Sequence, residues 1–256
     1  MKLRRFTFAE SGVDRFLSAH LSNAQYNRFV WTVYPLAWRL GEVVGVRRAA
    51  RSATPGETEL VGNEWGTPAE VRDIVREFIE PFVGRESVVA EIGVGGGRVA
   101  MQVAPLVQQF YCLDVSSTML RRARKALAGF DHVHYVKLSR PACPAELRGA
   151  VNFVYAFDVF VHFDVHLIWK YFQAIAEMLT PRGKALIHVA NLAAPSGWEK
   201  FSSQKAFSVG GLYFLSPEIV AILADRAGFS VLKESSPRSG NNYLRRDHVA
   251  VLEKRS

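Results

Sequence analysis

The residues best suited to chemistry lie between positions 91 and 114. Glu91-Ile92-Gly93-Val94-Gly95-Gly96-Gly97 follows a short apolar run, Val88-Val89-Ala90, and precedes a helical pattern that begins at Arg98. Glycines at 93, 95 and 97 let the chain take positive φ and leave no Cβ to hold a ligand off the backbone. A helix start behind such a turn offers unpaired N–H groups to a carboxylate or phosphate. A second apolar run, Phe110-Tyr111-Cys112-Leu113, ends in Asp114, and a carboxylate at that strand tip can accept both hydroxyls of a ribose. Together they read as a nucleoside site. The dinucleotide fingerprint G-x-G-x-x-G would need glycine at position 98, where this chain has Arg98.

The elements that must hold these residues alternate between strand and helix. Thr67-Pro68-Ala69-Glu70 is a capping box with proline at the first helical position. It opens a helix whose Val71, Ile74, Val75, Phe78 and Ile79 share one face. A helix is expected over Arg98 to Gln108, cut short near Pro105. After Asp114, Ser116 or Ser117 caps the next helix, and strand three is His134 to Leu138. Strand four, Asn152 to Phe157, runs into Asp158-Val159-Phe160-Val161-His162-Phe163-Asp164, with Asp164 as cap of the helix that follows. Thr180-Pro181-Arg182-Gly183 is the turn into strand five, Ala185 to Ala190. Residues 191–215 read as an irregular stretch rich in aromatic residues, a lid or binding loop. A helix from Ser216, a strand over 229–233, a polar loop through Ser239-Gly240-Asn241-Asn242 and a last strand at His248 complete the chain.

Glycine turn, acidic strand end and closing hairpin resemble the class I S-adenosylmethionine-dependent methyltransferases, over roughly residues 64–255. The resemblance implies an α/β fold: a doubly wound, mostly parallel seven-stranded sheet with a reversed last strand, here with a helical N-terminal cap over 1–62 and the methyltransferase domain over 63–256. It implies S-adenosyl-L-methionine as cofactor and S-adenosyl-L-homocysteine as product. Glu91, Gly93, Val94, Gly95 and Gly97 would form the turn against the methionine part, and Asp114 the ribose clamp. Val115, Met119, Leu138 and Ser139 would lie along the base, although relatives often carry a polar residue where Leu138-Ser139-Arg140 stands. Trp65, Phe157, Asp158 and His162 would complete the cofactor cleft, since ligands of open parallel sheets lie beyond the carboxyl ends of the strands.

Composition bounds the alternatives. The chain has 256 residues, 49% of them apolar and 22% charged, the balance of a globular protein with a sizeable core. The N-terminus has no continuous apolar h-region, and no apolar run reaches the roughly 18 residues of a spanning helix, so a cytoplasmic protein without a membrane span is expected. The two cysteines, Cys112 and Cys143, show no CxxC or Cys/His spacing, so no metal is expected. A net charge of +8 favours anionic partners in general, but the basic pairs are scattered along the chain.

Methyl transfer from a sulfonium is an in-line displacement in which holding nucleophile and methyl carbon in line does much of the work. A thioether or neutral amine needs no base, whereas a hydroxyl or ammonium does. His162 and His188, at the ends of strands four and five, are the candidates for that role; for each, a structural histidine bonded to a loop carbonyl is the alternative. Substrate contacts are expected from Asn191, Trp198, Gln204, Tyr213, Tyr243 and Arg246. Arg246 points to a small anionic or zwitterionic acceptor, unless it simply pairs with Asp247. In the N-terminal cap, Tyr26, Phe29, Trp31, Tyr34 and Trp38 either line a substrate pocket or pack the cap onto the main domain, and Pro35 is expected to break or kink their helix. A small molecule is the expected partner. Nucleic acid is the rival substrate, but Phe157-Asp158-Val159-Phe160 lacks the Asp-Pro-Pro-aromatic pattern of nucleobase amino methyltransferases. A nicotinamide oxidoreductase and a non-catalytic binder of the cofactor are the other classes left open.

Overall fold

The computed structural model describes residues 12–43, 66–204 and 212–256. Two helices lead, α1 (Gly12–His20) and α2 (Asn23–Val43), and α3 (Pro68–Phe78) opens the main body. Then follow β1 (Val88–Ile92), α4 (Ala100–Val103), β2 (Gln109–Asp114), α5 (Ser117–Ala126), β3 (Val133–Lys137), β4 (Val151–Ala156) and α6 (Val165–Met178). The second half holds β5 (Leu179–Asn191), α7 (Pro195–Ser203), β6 (Phe214–Leu215), α8 (Pro217–Arg226), β7 (Phe229–Glu234), α9 (Asn242–Arg246) and β8 (Asp247–Lys254).

The sheet runs β3-β2-β1-β4-β5-β8-β7, with short β6 paired to the end of β5. β1 to β5 are parallel, and β8 lies antiparallel to both β5 and β7. This is the mostly parallel sheet with a reversed last strand that the sequence leads one to expect, with β6 as an addition. The chain leaves β1 towards β2 and β3, then returns to its other side with β4, so a crevice opens above the carboxyl ends of β1 and β4. Both faces of the sheet are covered, which is why its central strands are apolar throughout. Along β4, Phe153 and Tyr155 pack under α3 while Val154 and Ala156 pack under α6, the period of two of a strand.

Local signals set several helix ends. Thr67 Oγ1 accepts the Glu70 N–H at 3.2 Å, and Glu70 Oε2 accepts the Thr67 N–H at 2.8 Å. Of the two serines, Ser116 caps α5, and Asp164 caps α6 by accepting the Leu167 N–H at 2.8 Å. Other segments depart from expectation. α2 continues through Pro35 without a break in the helix. The helix behind the glycine turn shrinks to α4 and a 3₁₀ turn at Ala104–Leu106, ended by Pro105. Thr180–Gly183 is a bulge inside β5: Val151 pairs Leu179, but Phe153 pairs Lys184, and Arg182 takes φ 59°.

The stretch 191–215, expected to be irregular, contains α7 and β6, with 205–211 outside the described residues. Pro195 sits at the start of α7, where its missing N–H costs nothing. Gly197 lets α7 lie against the end of β5, since a Cβ there would fall 1.8 Å from the Asn191 carbonyl oxygen. The polar loop near 240 continues into α9, capped by the Asn241 side chain.

Candidate active site

The glycine turn is tied to β2: the Gly93 and Val94 N–H groups donate to the Leu113 carbonyl at 2.7 and 3.3 Å. Its three glycines answer three different demands. Gly93 has φ 74°, and a Cβ would meet Val159 at 2.5 Å; Gly97 has φ 90° and sits in contact distance of α5. Gly95, at φ 54°, faces open space, with nothing nearer to a Cβ than 3.9 Å. Its N–H donates to Asp114 Oδ2 at 3.0 Å, and the Ser116 N–H donates to Oδ1 at 2.7 Å. An ionised carboxylate has roughly four acceptor sites, so Asp114 keeps capacity for further donors.

These residues wall a cavity of about 830 Å³, open mouth included. Val115, Met119 and Leu138 give it an apolar side; Phe157, Asp158, Val159 and His162 form the opposite one. α2 roofs it. Asn23 and Asn27 both donate through Nδ2 to the His162 carbonyl, at 3.2 and 3.1 Å, the Asp164 N–H donates to Asn23 Oδ1, and Arg28 reaches the Ser139 carbonyl. Trp31 stands with its ring 5.3 Å from the His162 imidazole, and Asn27 and Trp31 line the cavity.

Three carboxylates line the cavity, Glu91 and Asp114 buried and Asp158 with its side chain 12% exposed, and their surroundings differ. Burial raises Glu91 to about 8, against the pull of a hydrogen bond from the Tyr155 hydroxyl at 2.9 Å. Burial also raises Asp114, to about 6, with the Ser116 and Gly95 N–H groups opposing. At Asp158 burial acts in the same direction, but the charge of Arg98 outweighs it and holds the carboxyl below its ordinary value. Arg98 NH2 lies 2.8 Å from Asp158 Oδ2, and its NH1 donates to the Tyr243 hydroxyl at 2.8 Å. Asp158 has φ 61°, a region that costs a non-glycine residue about 1–2 kcal/mol. Its N–H donates to His188 Nδ1 at 2.9 Å.

The expected cofactor residues Glu91, Gly93, Val94, Gly95, Asp114, Val115, Met119, Leu138, Phe157, Asp158 and His162 all line the cavity. Gly97 packs beneath the turn, Ser139 is exposed outside it, and Trp65 lies outside the described residues. His188 falls elsewhere than expected of a base: it is fully buried, is not part of the cavity wall, and its Nε2 lies 3.0 Å from Asp247 Oδ2.

None of the six expected acceptor contacts reaches the cavity. Asn191 accepts the Ala193 N–H, Trp198 is exposed on α7, Gln204 bonds twice to the Leu212 backbone, and the Tyr213 N–H donates to Val161. Tyr243 is buried behind Arg98, and Arg246 makes a bidentate pair with Asp247 at 2.7 and 2.6 Å. Of the cap aromatics, Trp31 faces the cavity, Tyr26 is buried with its hydroxyl on Asp14, and Phe29 is exposed; the side chains of Tyr34 and Trp38 lie outside the described residues.

Sequence reading missed Arg98 as a wall residue, having used it only to exclude a dinucleotide. It also missed Asn27 and Tyr171. A buried arginine needs a carboxylate, but nothing local pairs Arg98 with Asp158.

The residues fit a nucleoside sulfonium: open space above Gly95, spare acceptor capacity on Asp114, and an apolar side for a flat base. Among the described residues no group of His, Cys, Asp or Glu could hold a metal, and no helix is long and apolar enough to cross a membrane.

Residues 89–183 match the methyltransferase domain family model. No curated protein sequence matches the chain. Among solved structures, the [4+2]-cyclase SpnF is similar at TM-score 0.63 and 15% identity, over 92% of this chain and 97% of its own. Magnesium protoporphyrin IX methyltransferase from Synechocystis PCC 6803 with bound S-adenosylmethionine follows at 0.61 and 14%, over 92% and 99%. A SAM-dependent methyltransferase from Aquifex aeolicus gives 0.53 and 14%, over 73% and 97%. Domain match over residues 89–183, sheet order and cavity together make this chain similar in fold to S-adenosylmethionine-dependent methyltransferases.

Proposed function

We propose that the chain moves a methyl group from S-adenosylmethionine to a nitrogen, oxygen or sulfur atom of a small metabolite. The observation that carries the word "small" is the roof. α2 is bonded down on both sides of the cavity, at Ser139 after β3 and at His162 after β4, with Trp31 on the cavity wall beside the His162 ring. A polymer substrate would need that roof moved aside, and the scattered basic pairs offer no track for one.

When bound, the cofactor supplies an electrophilic methyl group. Asp114 would accept from the ribose hydroxyls, Val115, Met119 and Leu138 would flank the base, and Gly95 leaves the backbone open to close approach. Phe157, Asp158 and His162 border the acceptor side, where Trp31 and Asn27 exclude water. For a hydroxyl or ammonium acceptor, His162 would take the proton; a neutral amine or thioether asks nothing of it. The anionic acceptor suggested by Arg246 loses its support, since the guanidinium is committed to Asp247. A neutral or weakly polar acceptor suits the largely apolar walls better.

The resemblance to a [4+2]-cyclase is a reminder that the fold leaves the reaction open, so turnover has to be measured. Calorimetry with S-adenosylmethionine, S-adenosylhomocysteine and NAD should give binding to the first two alone. Incubation of labelled donor with metabolite pools and with RNA should label a small product. Labelled RNA, or RNA binding that falls steeply with salt, would reverse the substrate assignment, and binding without any turnover would make the chain a cofactor-binding protein.

A further inference from the structure

His188 is the buried titratable group that methyl transfer leaves unused, and its two ring nitrogens face different partners. Nδ1 receives the Asp158 N–H at 2.9 Å. Only a nitrogen without a proton can accept that bond, so the proton of the neutral ring is on Nε2, which points at Asp247 Oδ2 3.0 Å away. Asp247 is in turn clamped by both arms of Arg246. The ring also stacks on Phe157, with centroids 4.5 Å apart at 17°. His188 therefore grips two consecutive wall residues of the turn after β4, one by its face and one by its backbone.

We infer that His188 is a positioning residue: as its Nε2–H tautomer, fixed by Asp247, it holds Asp158 in the left-handed conformation that delivers the carboxylate to Arg98 at the cofactor cavity. Without a partner for that N–H, a φ of 61° is left to the carboxylate's bonds with Arg98 and Tyr243 to hold, and the pair with Arg98 loosens. A proton added at Nδ1 would set donor against donor, while Asp247, Asp158 and Arg246 are the charged groups around the ring and Tyr243 and His248 its titratable neighbours. The same bond that fixes the turn leaves Nδ1 no lone pair for a substrate proton, so a role as general base is excluded by the geometry.

The inference rests on the cofactor assignment, not on the acceptor, and two measurements test it. Nitrogen NMR of the wild-type protein labelled at histidine should show one unprotonated Nδ1 and a protonated Nε2 for His188, and the reverse tautomer would overturn the relay. His188→Asn, which keeps an acceptor within reach of the Asp158 N–H, should bind S-adenosylhomocysteine within about threefold of wild type. His188→Phe should lose tenfold or more, about 1.4 kcal/mol. A folded His188→Phe protein with wild-type affinity sinks the inference, as does a His188→Asn protein with intact affinity but collapsed kcat, the mark of a lost base. Should the wild-type protein bind no S-adenosylhomocysteine at all, the cofactor assignment fails, and the tautomer still decides the relay.

Discussion

On the β1–β2 side of the cavity, Asp114 is held by N–H groups 2 and 19 residues away in the chain. On the β4 side, Asp158 is held by side chains and rings 30, 60 and 85 residues away: His188, Arg98 and Tyr243. The first wall is made of backbone donors that any sequence with the same turn would present. The second is an ion-pair network in which each member depends on strands brought together only by folding. The two walls also shift their carboxyls in opposite directions: burial outweighs the N–H groups at Asp114 and the Tyr155 hydroxyl at Glu91, whereas at Asp158 the Arg98 charge outweighs burial.

The hardest way to break this contrast is Asp158→Ala. It leaves Arg98, 9% exposed, without its carboxylate, and removal of one partner of a buried pair costs about 3–5 kcal/mol. Urea unfolding should show that loss. An unchanged midpoint would mean that the second wall is no network.

Next comes pH, where the walls should disagree in sign. The folded protein keeps a proton on Glu91 between about pH 4.5 and 8 that the unfolded chain releases, and on Asp114 between 3.8 and about 6. Their contribution is therefore most favourable below those windows and is lost as pH rises through them. Asp158 has the opposite sign: its stabilisation is present above 3.8 and disappears as pH falls through its lowered folded value. In Glu91→Gln the stability lost between pH 5 and 8 should shrink by a few kcal/mol, measured by unfolding at each pH.

A smaller effect isolates the first wall. Asp114→Asn should weaken S-adenosylhomocysteine binding about ten- to hundredfold, roughly 1.4–2.8 kcal/mol, while wild-type binding weakens below about pH 6 as that carboxyl takes up a proton. Calorimetry across pH would show both, and a flat profile in the wild type would remove Asp114 from the ribose.

The smallest effects separate the glycines. Gly95→Ala carries only the conformational cost of φ 54°, about 1–2 kcal/mol, and should act chiefly on cofactor affinity. Gly93→Ala adds a contact 2.5 Å from Val159, and overpacking of that kind costs about 1–3 kcal/mol more, visible as lower thermal stability. Equal melting points for the two variants would contradict this division of labour.

The turn at Gly93–Gly97, the carboxylate at Asp114, the α3 capping box and the Asp164 cap were legible in the amino-acid sequence because each is a local arrangement. Glycine φ, an acid at a strand end and a side chain bonding an N–H three residues on are fixed by neighbours along the chain. The acceptor side was not legible. Asn191, Trp198, Gln204, Tyr213, Tyr243 and Arg246 have suitable chemistry, yet none lines the cavity, and Gln204, Tyr243 and Arg246 are bonded elsewhere. Arg98 and Asn27 became wall residues because β4 returns beside β1 and α2 folds across the strand ends. Such pairings join positions far apart in the chain, where no spacing rule operates. Which histidine meets the cavity and which is sealed beneath it was decided by register: β5 and β8 set His188 opposite Val249 and leave both of its nitrogens already engaged.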